Sequence, residues 1–365
     1  MAARKVTVLG GGNTAFSVAA KLTLDGVEVA LYELPEFAST LEPVTSSRSI
    51  RLEGVAGNGT ASIAMVTTNA AEALAFSDLA LLIVPAYAHK AFAESCAPHL
   101  TDSHTVVLVP GTLGSLEWAR ILREQGAPSG VTLAEVDTAP YVCRKTAPDT
   151  ATIWGVVTGL GVGVLPSSRT ESVRSALDGL FPGMLAYPDV MACGLSAINP
   201  VVHPAGVVMN AGRIEYSRGE FYFYEEGVTP SVAKVIMQVD QERRDIGKAM
   251  GYDLMPADEA FHKAGFGPRG DLWATVNGSL MLTRLKAPGT LQNRWLSEDV
   301  PYGIATWARI GARFGVDTPL MRAFVDISSV VMGVDGWSGG RSLDDLGISD
   351  MDVEQLKSYL ATGTP

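Results

Sequence analysis

The amino-acid sequence predicts an α/β fold with a doubly wound parallel sheet in its N-terminal half, followed by an all-α C-terminal domain. Three observations support this prediction. A strand-like run meets a glycine-rich turn near the start of the chain, strand and helix patterns then alternate as far as residue 190, and helical periodicity dominates afterwards. We therefore expect two domains, residues 1–190 and 191–365.

Composition narrows the class of protein. The chain has 365 residues, of which 47% are hydrophobic and 18% charged, and this excludes a disordered chain. Its net charge of −11 argues against nucleic acid or an anionic membrane as the main partner. We find no apolar run of membrane-spanning length and no signal peptide. Three widely spaced cysteines, Cys96, Cys143 and Cys193, fit a reducing compartment such as the cytoplasm rather than a disulfide framework, and we expect no metal site.

The first element is a dinucleotide-binding turn of the Rossmann type. An apolar, β-branched run over residues 6–9 leads into glycines, and a helix-like pattern follows. Gly10 suits a tight turn, Gly12 allows the backbone to approach a pyrophosphate, and Ala15 allows close packing of helix and strand. The phosphates would lie at the positive N-terminus of the helix. The expected cofactor-binding residues of this turn are Gly10, Gly12, Asn13, Thr14 and Ala15.

The second strand indicates which dinucleotide binds. The run 27–32 stops at Glu33, which lies 21 residues after Gly12. At this separation an acidic residue accepts hydrogen bonds from the ribose hydroxyls of NAD, and its charge repels the additional phosphate of NADP. We therefore predict NAD. NADP stays possible, because Arg48 and Arg51 lie downstream and alanine replaces the third glycine of the motif.

The alternation of strands and helices continues through the first half. Asn69 is the expected N-cap of a helix over residues 70–76. The continuous apolar run 79–86 is typical of a central parallel strand buried on both faces. The remaining predicted elements are strands over residues 62–67, 105–111, 131–136 and 152–158 and a helix over residues 89–96.

Two loops of this half should face the nicotinamide and the substrate, because ligands of such sheets bind beyond the carboxyl ends of the strands. The loop 85–90 supplies Pro85 and Ala86 to the cofactor, and the loop 110–115 supplies Thr112 to the substrate. Hydrogen bonds from Thr112 to nearby backbone are an equally good interpretation. His89 is a weaker candidate for the catalytic base than His203, because the sequence offers no obvious carboxylate that would orient its imidazole.

The helical half opens with His203 in a small, apolar setting. Helices are predicted over residues 231–250, 271–283 and 303–314. Asn199 lies four residues before His203, on the same face of a helix. A histidine in such surroundings is more often a core residue than a catalyst, but the segment 291–301 offers a partner: Asp299, with Glu298 as the alternative. A carboxylate bonded to one imidazole nitrogen would raise the basicity of the other. The same segment would also suit a helix N-cap without chemistry.

Taken together, these motifs resemble the opine dehydrogenases, the octopine and nopaline dehydrogenase family, and most of all its bacterial members that form N-(1-carboxyethyl) amino acids. The segments that carry the resemblance are GGGNTA at 10–15, VPGTLG at 109–114, NPVVHP at 199–204, EEGVTPSV at 225–232, VDQER at 239–243, RWLSEDVP at 294–301 and GRSLDDLGI at 340–348. The resemblance implies that His203 and Asp299 form the catalytic dyad and that Arg294 binds a substrate carboxylate. Some animal members have glutamine where this chain has Thr112, which puts an arginine-type or other large amino-acid substrate in doubt.

The implied reaction is the reversible, NAD(P)H-dependent reductive condensation of an α-keto acid with the amino group of an amino acid. Two alternatives remain: a ketopantoate reductase or hydroxy-acid dehydrogenase, and a non-enzymatic NAD-sensing protein. Small-molecule substrates are the expected partners, and a homodimer is possible. The substrate-pocket candidates, each of which would equally suit the core, are the ranges 222–226 and 261–266 together with Trp273 and Tyr302.

Overall fold

The computed structural model describes residues 5–365, whose contacts divide into two units. The first unit runs to Gly194 and also contains Ser358–Pro365, and the second is Leu195–Lys357. The sequence-based division instead places a boundary at residue 190 and assigns the C-terminal residues to the helical domain. They group with the first unit, where Arg123 donates a hydrogen bond of 3.0 Å to the hydroxyl of Tyr359.

Twelve strands form within the described residues, and they belong to two sheets. In chain order the strands are β1 (Lys5–Leu9), β2 (Glu28–Tyr32), β3 (Ser49–Gly54), β4 (Gly59–Ser62), β5 (Met65–Thr67), β6 (Leu79–Leu82), β7 (Thr105–Leu108), β8 (Thr132–Val136), β9 (Tyr141–Ala147), β10 (Thr150–Val156), β11 (Gly161–Leu165) and β12 (Leu185–Ala186). The larger sheet has the order β12-β11-β8-β7-β6-β1-β2-β5. Its neighbours are parallel except for β8 and β11, which are antiparallel.

Sixteen α-helices accompany these strands in the described part of the chain. In order they are α1 (Asn13–Leu24), α2 (Glu42–Thr45), α3 (Ala70–Phe76), α4 (His89–Cys96), α5 (Gly114–Glu124), α6 (Thr170–Asp178), α7 (Val190–Leu195), α8 (Asn199–Met209), α9 (Ala211–Ser217), α10 (Pro230–Ala249), α11 (Ala257–Lys263), α12 (Leu272–Asn277), α13 (Arg294–Ser297), α14 (Ala305–Arg313), α15 (Pro319–Met332) and α16 (Val353–Thr362). The predicted fold class, an α/β sheet followed by a helical domain, is confirmed.

The central strands are buried because their sequences are apolar on both faces. Val6 and Val8 of β1 and Leu81 of β6 are fully buried, as expected where helices cover both sides of a parallel sheet. The predicted cap of α3 forms: the side chain of Asn69 accepts hydrogen bonds from the N–H groups of Ala71 and Glu72. These elements fix the glycine turn after β1 and the loops after β6 and β7.

A second sheet was not predicted. It has the order β4-β3-β10-β9, and β3 pairs in parallel with β10, about a hundred residues later. Two sequence-based strands change as a result. The predicted strand 62–67 is two strands in different sheets, since Ser62 ends β4 while Met65 begins β5, and the predicted strand 152–158 corresponds to β10 of the second sheet.

Two predicted helices of the second unit are shorter than their patterns suggested. Over residues 271–283 only Leu272–Asn277 is helical, with the side chain of Asp271 as its N-cap. A 3₁₀ turn, Leu282–Arg284, follows separately. The helix predicted over 303–314 is α14, preceded by a π-helical turn, Asp299–Ile304. Glycine weakens both helical patterns, because Gly278 follows α12 and Gly303 lies in the π turn.

One helical segment of the described residues is long and apolar enough to cross a membrane, judged by its length and composition alone. It is Val190–Met209, with a mean hydropathy of 1.3. In the structure 83% of this window is buried within the protein, as is typical of a core helix, and the helical segment breaks between α7 and α8. We therefore interpret it as part of the core.

Candidate functional site

The glycine turn after β1 has the geometry that the motif requires. Gly10 has φ +122°, and a Cβ there would lie 2.6 Å from the carbonyl oxygen of Ile83. No side chain with a Cβ fits this position. A Cβ at Gly12, in contrast, would meet no atom within 4 Å. Space is therefore open over Gly12, where a pyrophosphate would approach the backbone.

The N-terminus of α1 is suited to a phosphate. Gly12 is its N-cap in an extended conformation, no side chain caps its free N–H groups, and its first turn carries no acidic residue. Ala15 is fully buried, as the third small position of the motif requires. Thr14 is half-buried, and its hydroxyl lies 3.7 Å from the sulfur of Cys143. The turn therefore fits the dinucleotide that its sequence predicts.

Asn13 links this turn to the second sheet. Its side-chain oxygen accepts a hydrogen bond of 2.8 Å from the N–H of Lys145 on β9. The ammonium group of Lys145 lies 3.6 Å from the centre of the Phe16 ring and 3.3 Å from the carbonyl oxygen of Thr40. Burial lowers the pKa of Lys145. No sequence motif predicts that the Lys145 ammonium group lies beside the first turn of α1. Its position there depends on the pairing of β9 with β10 in the second sheet.

Glu33 lies at the end of β2, as predicted, and its carboxylate turns towards the glycine turn. One oxygen accepts the N–H of Gly11 over 2.7 Å, and the other accepts the N–H of Leu34 over 2.9 Å. The residue is only 6% exposed, and burial raises the pKa of its carboxyl while the two hydrogen bonds oppose that rise. The two hydrogen bonds therefore fix the carboxyl group of Glu33 at the position where a ribose is expected.

The loops after β6 and β7 lie at the same edge as the glycine turn, because β1, β6 and β7 are adjacent and parallel. Pro85 is the N-cap of a 3₁₀ turn that begins with Ala86, which is 6% exposed. Thr112 is half-buried and has φ +47°, in the left-handed region that β-branched residues rarely adopt. Such strain is concentrated at functional sites in proteins.

Glu135 of β8, which the sequence analysis did not identify, holds the loop that contains Thr112. Its fully buried carboxylate accepts the N–H groups of Leu113 and Ser115 and the hydroxyl of Ser115, at 3.0, 3.2 and 2.7 Å. His89 is also fully buried and lies under this loop, since a Cβ at Gly114 would come within 2.2 Å of its Nδ1.

The second unit brings His203 and Asp299 together across 96 residues of sequence. Nδ1 of His203 lies 2.8 Å from Oδ2 of Asp299. His203 is in the second turn of α8, among buried apolar residues, and its side chain is 10% exposed. Asp299 begins the π-helical turn, which packs against α8 at Gly303: a Cβ there would lie 2.4 Å from Cβ of Pro200. A bulkier residue at position 303 would therefore separate the two segments.

The electrostatics of this pair follow from its burial. Burial raises the pKa of the Asp299 carboxyl, and the hydrogen bond and charge of His203 oppose the rise. A carboxylate that accepts from Nδ1–H fixes the tautomer, so that Nε2 is the nitrogen that exchanges protons. The pair is therefore arranged for general acid–base chemistry.

Three further residues predicted for the site, Arg294, Asn199 and Tyr302, lie close in sequence to His203 or Asp299. The side chain of Arg294 is 61% exposed, and its Nε donates to Glu298 over 2.6 Å. Glu298, the alternative partner of His203, is thus paired with Arg294. Asn199 is the exposed first residue of α8. Tyr302 lies in the π turn with the guanidinium of Arg341 5.0 Å above its ring.

Two aromatic residues also contact His203, although no sequence motif marks either of them for this role. Trp295 stacks on the imidazole with ring centres 4.4 Å apart and an angle of 9° between the planes. The hydroxyl of Tyr224 lies 3.3 Å from Nε2. Tyr224 belongs to the candidate range 222–226, but nothing in the pattern of that range distinguishes a side chain that faces the histidine from one in the core.

Comparisons with known proteins extend over nearly the whole chain. A family model described as the α-helical domain of NAD/NADP octopine/nopaline dehydrogenases matches residues 186–332. Opine dehydrogenase of Arthrobacter sp. (strain 1C) is 31% identical over 354 residues, which cover 96% of this chain and 97% of that protein.

Solved structures show the same fold. A structure of octopine dehydrogenase in complex with NADH and agmatine has a TM-score of 0.80 and 20% identity, covering 99% of this chain and 98% of that one. A ketopantoate reductase from Ralstonia eutropha JMP134 has a TM-score of 0.60 and 17% identity, covering 90% of this chain and 98% of that one. The fold is thus closer to the first of these structures than to the second.

Proposed function

Because the chain belongs to the octopine and nopaline dehydrogenase family of NAD(P)-dependent oxidoreductases, we propose that it condenses a pyruvate-like α-keto acid with the amino group of an amino acid. The product is a secondary amine dicarboxylate, and the same enzyme oxidises it in the reverse direction. The observation that carries the proposal is the 2.8 Å contact between His203 and Asp299 in an apolar setting.

The bound nicotinamide cofactor supplies the hydride that reduces the imine. When the imine forms, Nε2 of His203 takes a proton from the attacking amine and donates a proton to the oxygen that leaves as water. In the reverse direction the same nitrogen takes a proton from the attacking water and returns one to the departing amine. Asp299 holds the imidazole in one tautomer and stabilises its protonated form.

Substrate binding is proposed for the residues around this pair and for the loop after β7. Arg294 binds a substrate carboxylate through its planar guanidinium, and its exposed side chain in the family segment RWLSEDVP supports this role. Asn199, Tyr302 and the strained Thr112 contribute further polar contacts.

NAD is the proposed preferred cofactor, with NADP as the alternative. The proposed binding residues are Gly10, Gly12, Asn13, Thr14, Ala15, Glu33, Pro85 and Ala86. The uncapped N-terminus of α1, the open space over Gly12 and the negative charge of Glu33 support this assignment.

We also propose a cytoplasmic location and a homodimer. All three cysteines are free, and burial raises the pKa of the Cys96 thiol to about 12 and that of Cys193 well above its usual value. Free thiols fit a reducing compartment. Sedimentation of the purified protein measures the oligomeric state.

The decisive experiment measures NADH oxidation with pyruvate, in the presence and absence of an amino acid mixture. We expect oxidation only when the amine is present. In the same assay His203→Ala should lose on the order of 10²- to 10⁴-fold in turnover, the usual contribution of a general acid or base. NADH binding, followed by fluorescence, should stay close to that of the unchanged protein.

His99→Ala is the matched control, because His99 is an exposed histidine of the first unit. Oxidation without an amine would indicate a hydroxy-acid or ketopantoate type of reaction, and no oxidation with any pair would indicate an NAD-sensing protein. Full turnover in His203→Ala would refute the role of the histidine.

A further inference from the structure

Tyr224 contacts the nitrogen of His203 that the proposed chemistry uses. Asp299 lies at Nδ1 and the Tyr224 hydroxyl lies 3.3 Å from Nε2, so oxygen atoms flank both ring nitrogens. Tyr224 is 5% exposed and comes from a π-helical turn, Phe223–Gly227. Turns of this kind are frequent at functional sites.

The Tyr224 hydroxyl can form a hydrogen bond with Nε2 of His203 in both protonation states of the imidazole. A neutral imidazole with its proton on Nδ1 has a lone pair at Nε2, which accepts the O–H of Tyr224. A protonated imidazole has an N–H at Nε2, which donates to the same oxygen, because a phenol both donates and accepts. Burial and the charge of Asp299 raise the pKa of Tyr224, so its hydroxyl keeps its proton.

Aromatic packing fixes this geometry. Trp295 covers one face of the imidazole. Phe223 meets Trp295 edge-on at 4.7 Å and Tyr224 edge-on at 5.1 Å. The Tyr224 ring is thus held by packing, while the indole face favours a positive charge on the imidazole beside it.

We propose that Tyr224 is a positioning residue for the acid–base step, whose hydroxyl holds Nε2 of His203 and stabilises the imidazole while it carries the proton, and which gives up this hydrogen bond when the substrate oxygen takes the proton. This inference rests on the proposed function. The titratable and charged groups around the imidazole are Asp299 and Tyr224, with Glu298 and Arg294 beyond Asp299. Of these, Tyr224 alone contacts Nε2.

Tyr224→Phe tests the proposal, because it removes the hydroxyl and retains the ring. The protonated imidazole then keeps a buried N–H without an acceptor, which costs more than the lost bond of the neutral ring. We expect kcat to fall about tenfold near neutral pH, as for one hydrogen bond to a charged group. The alkaline limb of the kcat–pH profile should move about one pH unit lower. KM for NADH should not change.

A second readout does not depend on turnover. A protonated imidazole quenches a stacked indole, so the fluorescence of Trp295 reports the protonation of His203. The difference between the unchanged protein and Trp295→Phe isolates this signal among the six tryptophans. Its pH midpoint should move to lower pH in Tyr224→Phe. Replacement of Tyr224 by 3-fluorotyrosine, which retains the whole side chain and strengthens the donor, should move it in the same direction.

Tyr216→Phe is the matched control, since Tyr216 is 94% exposed in the same unit. A turnover loss in Tyr224→Phe without movement of the profile or the midpoint would reduce Tyr224 to a packing role and overturn the proposal, as would unchanged turnover. If the unchanged protein lacks amine-dependent turnover while the midpoint still moves, the proposed function fails and the contact between Tyr224 and His203 stands.

Discussion

At the scale of single residues, Glu33 combines two tasks. Its carboxylate accepts hydrogen bonds from the N–H groups of Gly11 and Leu34, and these bonds fix the conformation of the glycine turn. Its negative charge also stands at the end of β2, where a ribose is expected and where the additional phosphate of NADP would be repelled. The two tasks can be separated, because backbone N–H groups need only an acceptor, whereas repulsion of a phosphate needs charge.

Glu33→Gln keeps an acceptor oxygen and removes the charge. The ratio of the Kd for NADPH to the Kd for NADH should fall about tenfold or more, since juxtaposed like charges cost several kcal/mol. Fluorescence titration with both cofactors measures this ratio. Glu36→Gln, at an exposed neighbouring position, is the control. An unchanged ratio in a folded Glu33→Gln protein would exclude Glu33 as the selective group.

At the scale of elements, α10 owes its position to a buried ion pair. Asp240 and Arg243 are both fully buried, and the carboxylate accepts hydrogen bonds from Nε and Nη2 of the arginine at 3.0 and 2.6 Å.

The same pair also binds the backbone of other segments. Arg243 donates to the carbonyl oxygens of Leu195 and Met255, while Asp240 accepts a hydrogen bond from the N–H of Ala257. The family segment VDQER at 239–243 thus has a structural role: it ties α10 to the start of the second unit and to the segment before α11.

Asp240→Ala would leave the Arg243 guanidinium buried without its carboxylate. Breaking such a pair costs about 3–5 kcal/mol. The free energy of unfolding from urea titration should fall by this amount. The matched variant is Asp245→Ala on the exposed face of the same helix, for which we expect a change within about 0.5 kcal/mol. Equal losses in the two variants would contradict the role of the pair.

At the scale of the whole molecule, buried carboxyls make stability depend on pH. Burial raises the pKa of Glu33, Asp137, Glu242 and Asp299, and that of Asp137 rises from 3.8 to about 6. At a pH between the pKa of such a carboxyl in the unfolded chain and its pKa in the folded protein, the folded protein binds more protons than the unfolded chain. The contribution of these carboxyls to the free energy of unfolding is therefore fully present below about pH 4, the pKa of the unfolded chain. It is lost as the pH rises through their pKa in the folded protein.

We expect the urea midpoint to decrease between pH 4 and pH 6, with Asp137 contributing up to about 3 kcal/mol for a shift of about two units. Asp137→Asn should flatten this decrease, because its amide does not ionise. Asp350→Asn, at an exposed position, should leave the slope as it is. A slope that does not differ between Asp137→Asn and the unchanged protein would show that the titration of Asp137 does not govern stability.

The sequence by itself determined the local features of this protein. The glycine turn, the cap at Asn69, the buried strand β6 and the long helix α10 all follow from residues that are neighbours in the chain, because side-chain periodicity and backbone freedom are local properties. The family motifs also predict that His203 and Asp299 form a pair, and the 2.8 Å contact between Nδ1 and Oδ2 agrees with this prediction.

Only the tertiary structure decided which distant segments meet. The parallel pairing of β3 with β10, the position of Lys145 beside α1 and the grouping of Ser358–Pro365 with the first unit have no local signature. The same holds for Tyr224 and Trp295, whose contacts with His203 depend on how three segments pack. Aromatic residues in a sequence predict burial, whereas the direction in which a buried ring points is set by the neighbours that surround it.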